Sequence, residues 1–344
     1  MPLPLVPAII AGIAAATAAT GVKKGLDAKR DMSEAKSLNA TSQEMAKEAE
    51  KFIEMAKENT NEAITILGQE KIRILTTSIN EFVIHFEKIK NINLKNSEGI
   101  DELKNFNPSS ESFKQLKEAS FEAKQVAING IAAIGSGALL AYGTYSVVMG
   151  GLGGLLVTAT TGTALTSLTG VAATNATLAW LGGGALTAGG FGMAGGMVVL
   201  GGLVAGPALA IGGTIFASQA KAALNDAYGN FDKAKVFKKQ AKNIGIALKG
   251  IFTRANQLTE LLQKLDTHFS QQVMRMKDII QRRGLDWQDY TINEQQDIYK
   301  CVQLAQTIKL ILDTPLLKQE GQLDEATNKV LEDGNKYLQM LAQV

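Results

Sequence analysis

The feature that most constrains this chain is a run from residue 125 to residue 220 that contains no Asp, Glu, Lys, Arg or His and holds most of the protein's 34 glycines. A charge is costly to place in hydrocarbon, so a run this long without one is either surface meant for lipid or apolar structure enclosed by other helices. A membrane helix takes about 20 predominantly apolar residues, which leaves room here for roughly two to four passes broken by turns. Glycine clusters and Pro207 mark the breaks. They give four pieces: 126–149, closed by Gly150, Gly151, Gly153 and Gly154; 155–170, rich in Thr and Ser; 171–180, ended by three consecutive glycines; and 186–217, kinked at Pro207. Glycines four apart, such as Gly192 with Gly196 and Gly202 with Gly206, let helix backbones approach closely. Together with Gly150, Gly154 and Pro207 they are the expected packing positions of inserted helices.

Three readings compete for the run: a permanent anchor, a hairpin stowed in a soluble form and released at a membrane, and the core of a soluble bundle. The mean hydropathy of +0.04 disfavours a transporter with many spans. Many glycines and alanines with few leucines make the run only moderately apolar per residue, which favours the stowed hairpin.

The remaining composition points to helices. The chain has 344 residues, 46% of them apolar, with 6% aromatic and only 6 prolines, and Ala, Gln, Lys, Glu and Leu dominate outside the glycine-rich run. The expected fold is all-α: an elongated bundle of long antiparallel helices carrying a Gly/Ala-rich apolar helical head. Its parts are an apolar N-terminal helix over 1–30, a first stalk segment over 31–124, the insertion head over 125–220, and a second stalk segment with C-terminal helices over 221–344. The N-terminal segment lacks the basic leading region of a signal peptide, and its lysines follow the apolar part, so it reads as an uncleaved helix.

Residues 32–92 place Met45, Ala49, Phe52, Ala56, Ala63, Leu67, Leu75, Ile79, Phe82, Phe86 and Ile89 at steps of three and four, with Gly68 a possible bend. Residues 91–110 carry Asn, Gly, Ser and Pro108 and read as a connection, after which a helix beginning near Ser110 leads into the uncharged run. Beyond the run the stripe returns more strongly, at Leu224, Ala227, Phe231, Ala234, Phe237, Ala241, Ile244, Leu248, Ile251, Ala255, Leu258, Leu262, Leu265, Phe269, Val273, Met276 and Ile280. Two such helices flanking an insertion most simply lie antiparallel. Glu44, Glu48, Glu50, Glu54, Glu58 and Glu62 on the first would then face the basic run of the second. Thr291 and Glu294 form a capping box that opens a helix, Pro315 stops it, and a last helix ends near Leu341.

No catalytic or cofactor motif emerges, so the chain is read as a non-enzyme with no cofactor, metal or small-molecule substrate. Gly190, Gly192 and Gly195 match a dinucleotide fingerprint, but no strand precedes them and no acid follows at the required distance. His85 and His268 stand singly without metal-ligand spacing, and Cys301 reads as a small core residue. Lys233, Lys235, Lys238, Lys239 and Lys242, just beyond the uncharged run, are placed to meet anionic lipid headgroups. Nucleic acid is disfavoured, since aromatic residues do not interleave with the basic ones and the net charge is only +2.

A long helix, an apolar insertion and a second long helix in that order, over residues 32–283, resembles the α-helical pore-forming toxins of the haemolysin E and Hbl/Nhe enterotoxin type. The uncharged run is longer and richer in glycine than their hydrophobic tongue, and in that it resembles apolipoprotein L and other glycine-zipper membrane proteins. The resemblance rests on architecture. It implies a soluble form that rearranges, inserts apolar helices into a bilayer, and assembles with its own copies or with companion helical subunits.

Overall fold

The computed structural model describes residues 21–94, 106–128, 220–317 and 323–342. Of these, 86% are helical and none forms a strand, so the fold is all-α. The elements are α1 (Gly21–Ile74), a π-helical turn (Leu75–Ile79), α2 (Asn80–Phe86), α3 (Glu111–Val126), α4 (Ala220–Arg283), a 3-10 turn (Trp287–Asp289), α5 (Ile292–Asp313) and α6 (Ala326–Leu341). The described residues fall into two compact units, one made of 21–52 with 220–242, the other holding the rest.

In the first unit α1 and α4 run parallel. The Tyr228 hydroxyl donates to Glu34, the Asn230 amide to the Asn39 side-chain carbonyl at 3.1 Å, and Lys238 Nζ to Glu48 at 2.9 Å, so both helices advance together. The second unit shows the same sense. Thr60 Oγ1 donates to the Leu248 carbonyl at 3.2 Å, Arg73 to Asp266 at 2.7 Å, and Lys277 to Glu81 at 2.7 Å. The antiparallel arrangement expected from the sequence is therefore overturned. An apolar stripe fixes which face of a helix is buried and says nothing about direction, and the antiparallel choice assumed that α4 starts where α1 ends. Instead α3 turns back along α1, with Ser120 beside Leu75 and Lys117 paired to Glu87, before the uncharged run begins.

The first unit is held by a narrow seam. Ala35, Ser42 and Ala49 of α1 and Ala227, Ala234 and Ala241 of α4 are buried, each set seven residues apart as in a parallel coiled coil. Small side chains there bring the two backbones close while burying little area per residue. Phe52, expected on the apolar stripe, is 48% exposed, and its neighbour Ile53 is buried in its place. The α4 stripe otherwise follows the sequence expectation, from Ala227 and Ala234 through Leu262 and Phe269 to Met276.

The second unit has a full core. α1 passes Gly68 without a break, and from Ala63 to Val83 the chain is buried over most of its circumference by α3, α4 and α5, leaving one face open along Ile66, Arg73 and Thr77. Phe82, Phe86, Phe106, Phe113 and Phe269 cluster there with ring centroids 5.0 to 6.4 Å apart, in offset and edge-on arrangements that aromatic rings favour. Thr291 and Glu294 make the expected capping box, so α5 starts at Ile292. Cys301 is fully buried in α5, as expected of a core residue. α6 lies close on α4 at Gly334, where a Cβ would sit 2.7 Å from Leu261 Cδ2.

Candidate functional site

The basic residues singled out in the sequence lie within 233–242 of α4, beyond its first three turns. Helical periodicity turns Lys235, Lys239 and Lys242 away from the seam residues Ala234 and Ala241, Lys238 borders the seam, and Lys233 lies on the other flank. All five are exposed. Lys235 sits 4.2 Å over the Phe231 ring and 3.8 Å from Asp232, while Lys238 reaches Glu48 on α1. Lys233, Lys239 and Lys242 have no carboxylate within ion-pair distance among the described residues. The acidic run of α1 contributes only Glu48 to this face there; Glu44, Glu50, Glu54, Glu58 and Glu62 are exposed. The result is a solvated basic face. Its chemistry is long-range attraction to anions, worth about 1 kcal/mol per lysine at an anionic lipid surface.

The other residues singled out as packing positions, Gly150, Gly154, Gly192, Gly196, Gly202, Gly206 and Pro207, lie outside the described residues, as does the glycine fingerprint at Gly190. At the entry to the uncharged run, Phe121 and Ile128 are 63% and 75% exposed, so large apolar side chains face water there. No helix among the described residues is long and apolar enough to cross a membrane, and no group of three His, Cys, Asp or Glu among them is placed to hold a metal ion. His85 and His268 are both half-buried; a ring nitrogen of His85 lies 2.8 Å from the Glu81 carbonyl.

Two features were not read from the sequence. The first is a polar layer inside the second unit. Lys71 is 1% exposed, and its ammonium is driven down to about 7 by burial, against the partial opposition of Asp313. Nearby Arg73 bridges Glu70 and Asp266, and those hydrogen bonds raise its already high pKa. The signal was present: Glu70, Lys71 and Arg73 interrupt Leu67, Ile72, Ile74 and Leu75, so a helix buried over most of its circumference had to enclose some charge. The second is the π-helical turn itself, foreshadowed by three consecutive hydroxyl residues, Thr76, Thr77 and Ser78.

No family model, curated protein or solved structure matches the chain.

Proposed function

We propose that this protein inserts residues 125–220 into a lipid bilayer and permeabilises it, with the exposed lysines of α4 meeting anionic headgroups. It acts without catalysis or cofactor, as an assembly of its own copies or with companion helical subunits, and reaches the membrane from a soluble form. The observation that carries this reading is the absence of any charged residue across the whole run, set between helices of ordinary charge. The exposed lysine face at 233–242 of α4, on the helix that follows the run, supports it.

A permanently anchored helical scaffold is the second reading. It is favoured by the second unit, where helices from both sides of the run share one large core. Protease protection separates the two. The run has no Lys or Arg, so a non-specific protease is required. Protein purified without detergent and then mixed with anionic vesicles should retain an apolar fragment from within 125–220 that is degraded when vesicles are absent. Degradation of the run with vesicles present would remove the insertion reading, and a chain extracted only with detergent would favour the anchor. Replacing Lys235, Lys238, Lys239 and Lys242 by Gln should weaken vesicle binding and flatten its salt dependence, since the screening length is about 8 Å at physiological salt.

A further inference from the structure

The first unit has one open flank. Its seam of small residues brings α1 and α4 together while burying little area, and a pair of helices owes most of its stability to the apolar surface it buries. Leu38, Met45 and Phe52 follow the seam residues Ala35, Ser42 and Ala49 of α1 by three positions each, so they make a second seven-residue repeat along one side of the seam. On α4, Phe231 stands beside the seam four positions after Ala227. Lys238, seven residues beyond Phe231, reaches Glu48 at 2.9 Å, which sets the two stripes on the same side of the pair. Phe52 is 48% exposed and Leu38, Met45 and Phe231 are half-buried, whereas Phe237, on the opposite flank, is buried.

The rims of the open flank carry opposite charges. Glu44 and Glu48 edge it on α1, and Lys239 and Lys242 edge it at the same level on α4. Glu44, Lys239 and Lys242 make no ion pair among the described residues. A second copy laid on this flank in the parallel sense, about a two-fold axis running with the helices, sets α1 of each copy over α4 of the other. Apolar stripes then meet at the centre, and each acidic rim meets a basic one. The antiparallel alternative stacks α1 on α1 and α4 on α4, like charge on like.

We infer that this flank of the first unit is the interface through which two copies of the chain pair in parallel, α1 of each lying over α4 of the other. In water the second copy, in place of lipid, neutralises the rim of Lys239 and Lys242. Parallel pairing also puts Ala220, where α4 leaves the uncharged run, at the same end in both copies. The pair gives the self-assembly of the proposed function a surface and rests on that reading only for its use. Its test contains no lipid, so its failure and the failure of insertion are read separately.

Sedimentation velocity of the full chain, purified without detergent, is that test. The wild type should run as a dimer at micromolar concentration. Glu44→Lys/Glu48→Lys sets basic rim on basic rim, and Lys239→Glu/Lys242→Glu sets acidic on acidic, so each variant should self-associate at least about a hundredfold more weakly. All four positions are exposed, so both variants should keep the helical circular dichroism of the wild type. Mixed in equal amounts, the two variants should pair again as the wild type does, because each altered rim then meets its opposite. A wild type that stays monomeric, an association that neither variant weakens, or a mixture no more associated than its parts would overturn the inference.

Discussion

Lys71 shows how a single buried residue sets the pH behaviour of the second unit. Its ordinary pKa is 10.5 and burial lowers it to about 7, so between those values the unfolded chain binds more protons than the folded one. Stability must therefore rise with pH across that window, by at most about 1.4 kcal/mol per pH unit for one proton. The rise is best measured below about pH 9.5, before unfolded tyrosines ionise near 10 and the effect reverses sign, because Tyr290 and Tyr337 are pushed up to about 12 by burial. Urea unfolding at a series of pH values should show the slope in the wild type and lose it in Lys71→Met. Glu294 governs the acid side. The Thr291 backbone N–H, helped by the Thr291 hydroxyl and Arg283, holds its carboxylate down to about 2 against an ordinary 4.5. Its contribution is complete above 4.5 and is lost as pH falls toward 2, so Glu294→Gln should flatten the acid limb of the stability curve. Glycines separate by their surroundings. A Cβ added at Gly229 would meet nothing within 4 Å, so Gly229→Ala should stabilise α4 locally by about 0.5–1 kcal/mol, read as roughly threefold slower amide exchange around it. Gly334, pressed against Leu261, should respond oppositely: Gly334→Leu over-packs the α4 and α6 contact at a cost of about 1–3 kcal/mol in urea unfolding.

At the scale of elements, what the sequence made legible was whatever local chemistry decides. The α5 start follows from Thr291 and Glu294, its end from Pro315, and the buried face of α4 from its stripe. Direction was not legible, because an apolar stripe reads the same both ways, and the parallel pairing of Glu34 with Tyr228 and of Arg73 with Asp266 depends on how the intervening chain returns. Phe52 was misplaced for a related reason. In the first unit the seam rests mainly on small residues at seven-residue spacing, with Phe237 of α4 buried beside them, while Phe52 lies outside it. The seam makes its own prediction. Ala234→Leu should wedge α1 and α4 apart and speed amide exchange over 227–241 while leaving 258–269 unchanged, at a cost of about 1–3 kcal/mol. Equal protection in both segments would show that the seam does not hold the pair.

For the whole molecule, charge divides the chain into helices built for water and a run that carries none. The described helices on either side of that run build one continuous core around Phe82 and Leu262. Of the candidate site, the basic face was legible because lysines recur on one side of a strongly periodic helix, and α3's hold on the π-helical turn was not, because a hydroxyl reaching a carbonyl 45 positions away leaves no pattern in sequence. The central claim is that this division serves insertion into a bilayer. Dye release from vesicles of anionic and of neutral lipid, by protein purified without detergent and added alone, tests it most directly. The account predicts leakage that climbs steeply with protein concentration and depends on anionic lipid; intact vesicles at every composition and concentration would contradict it.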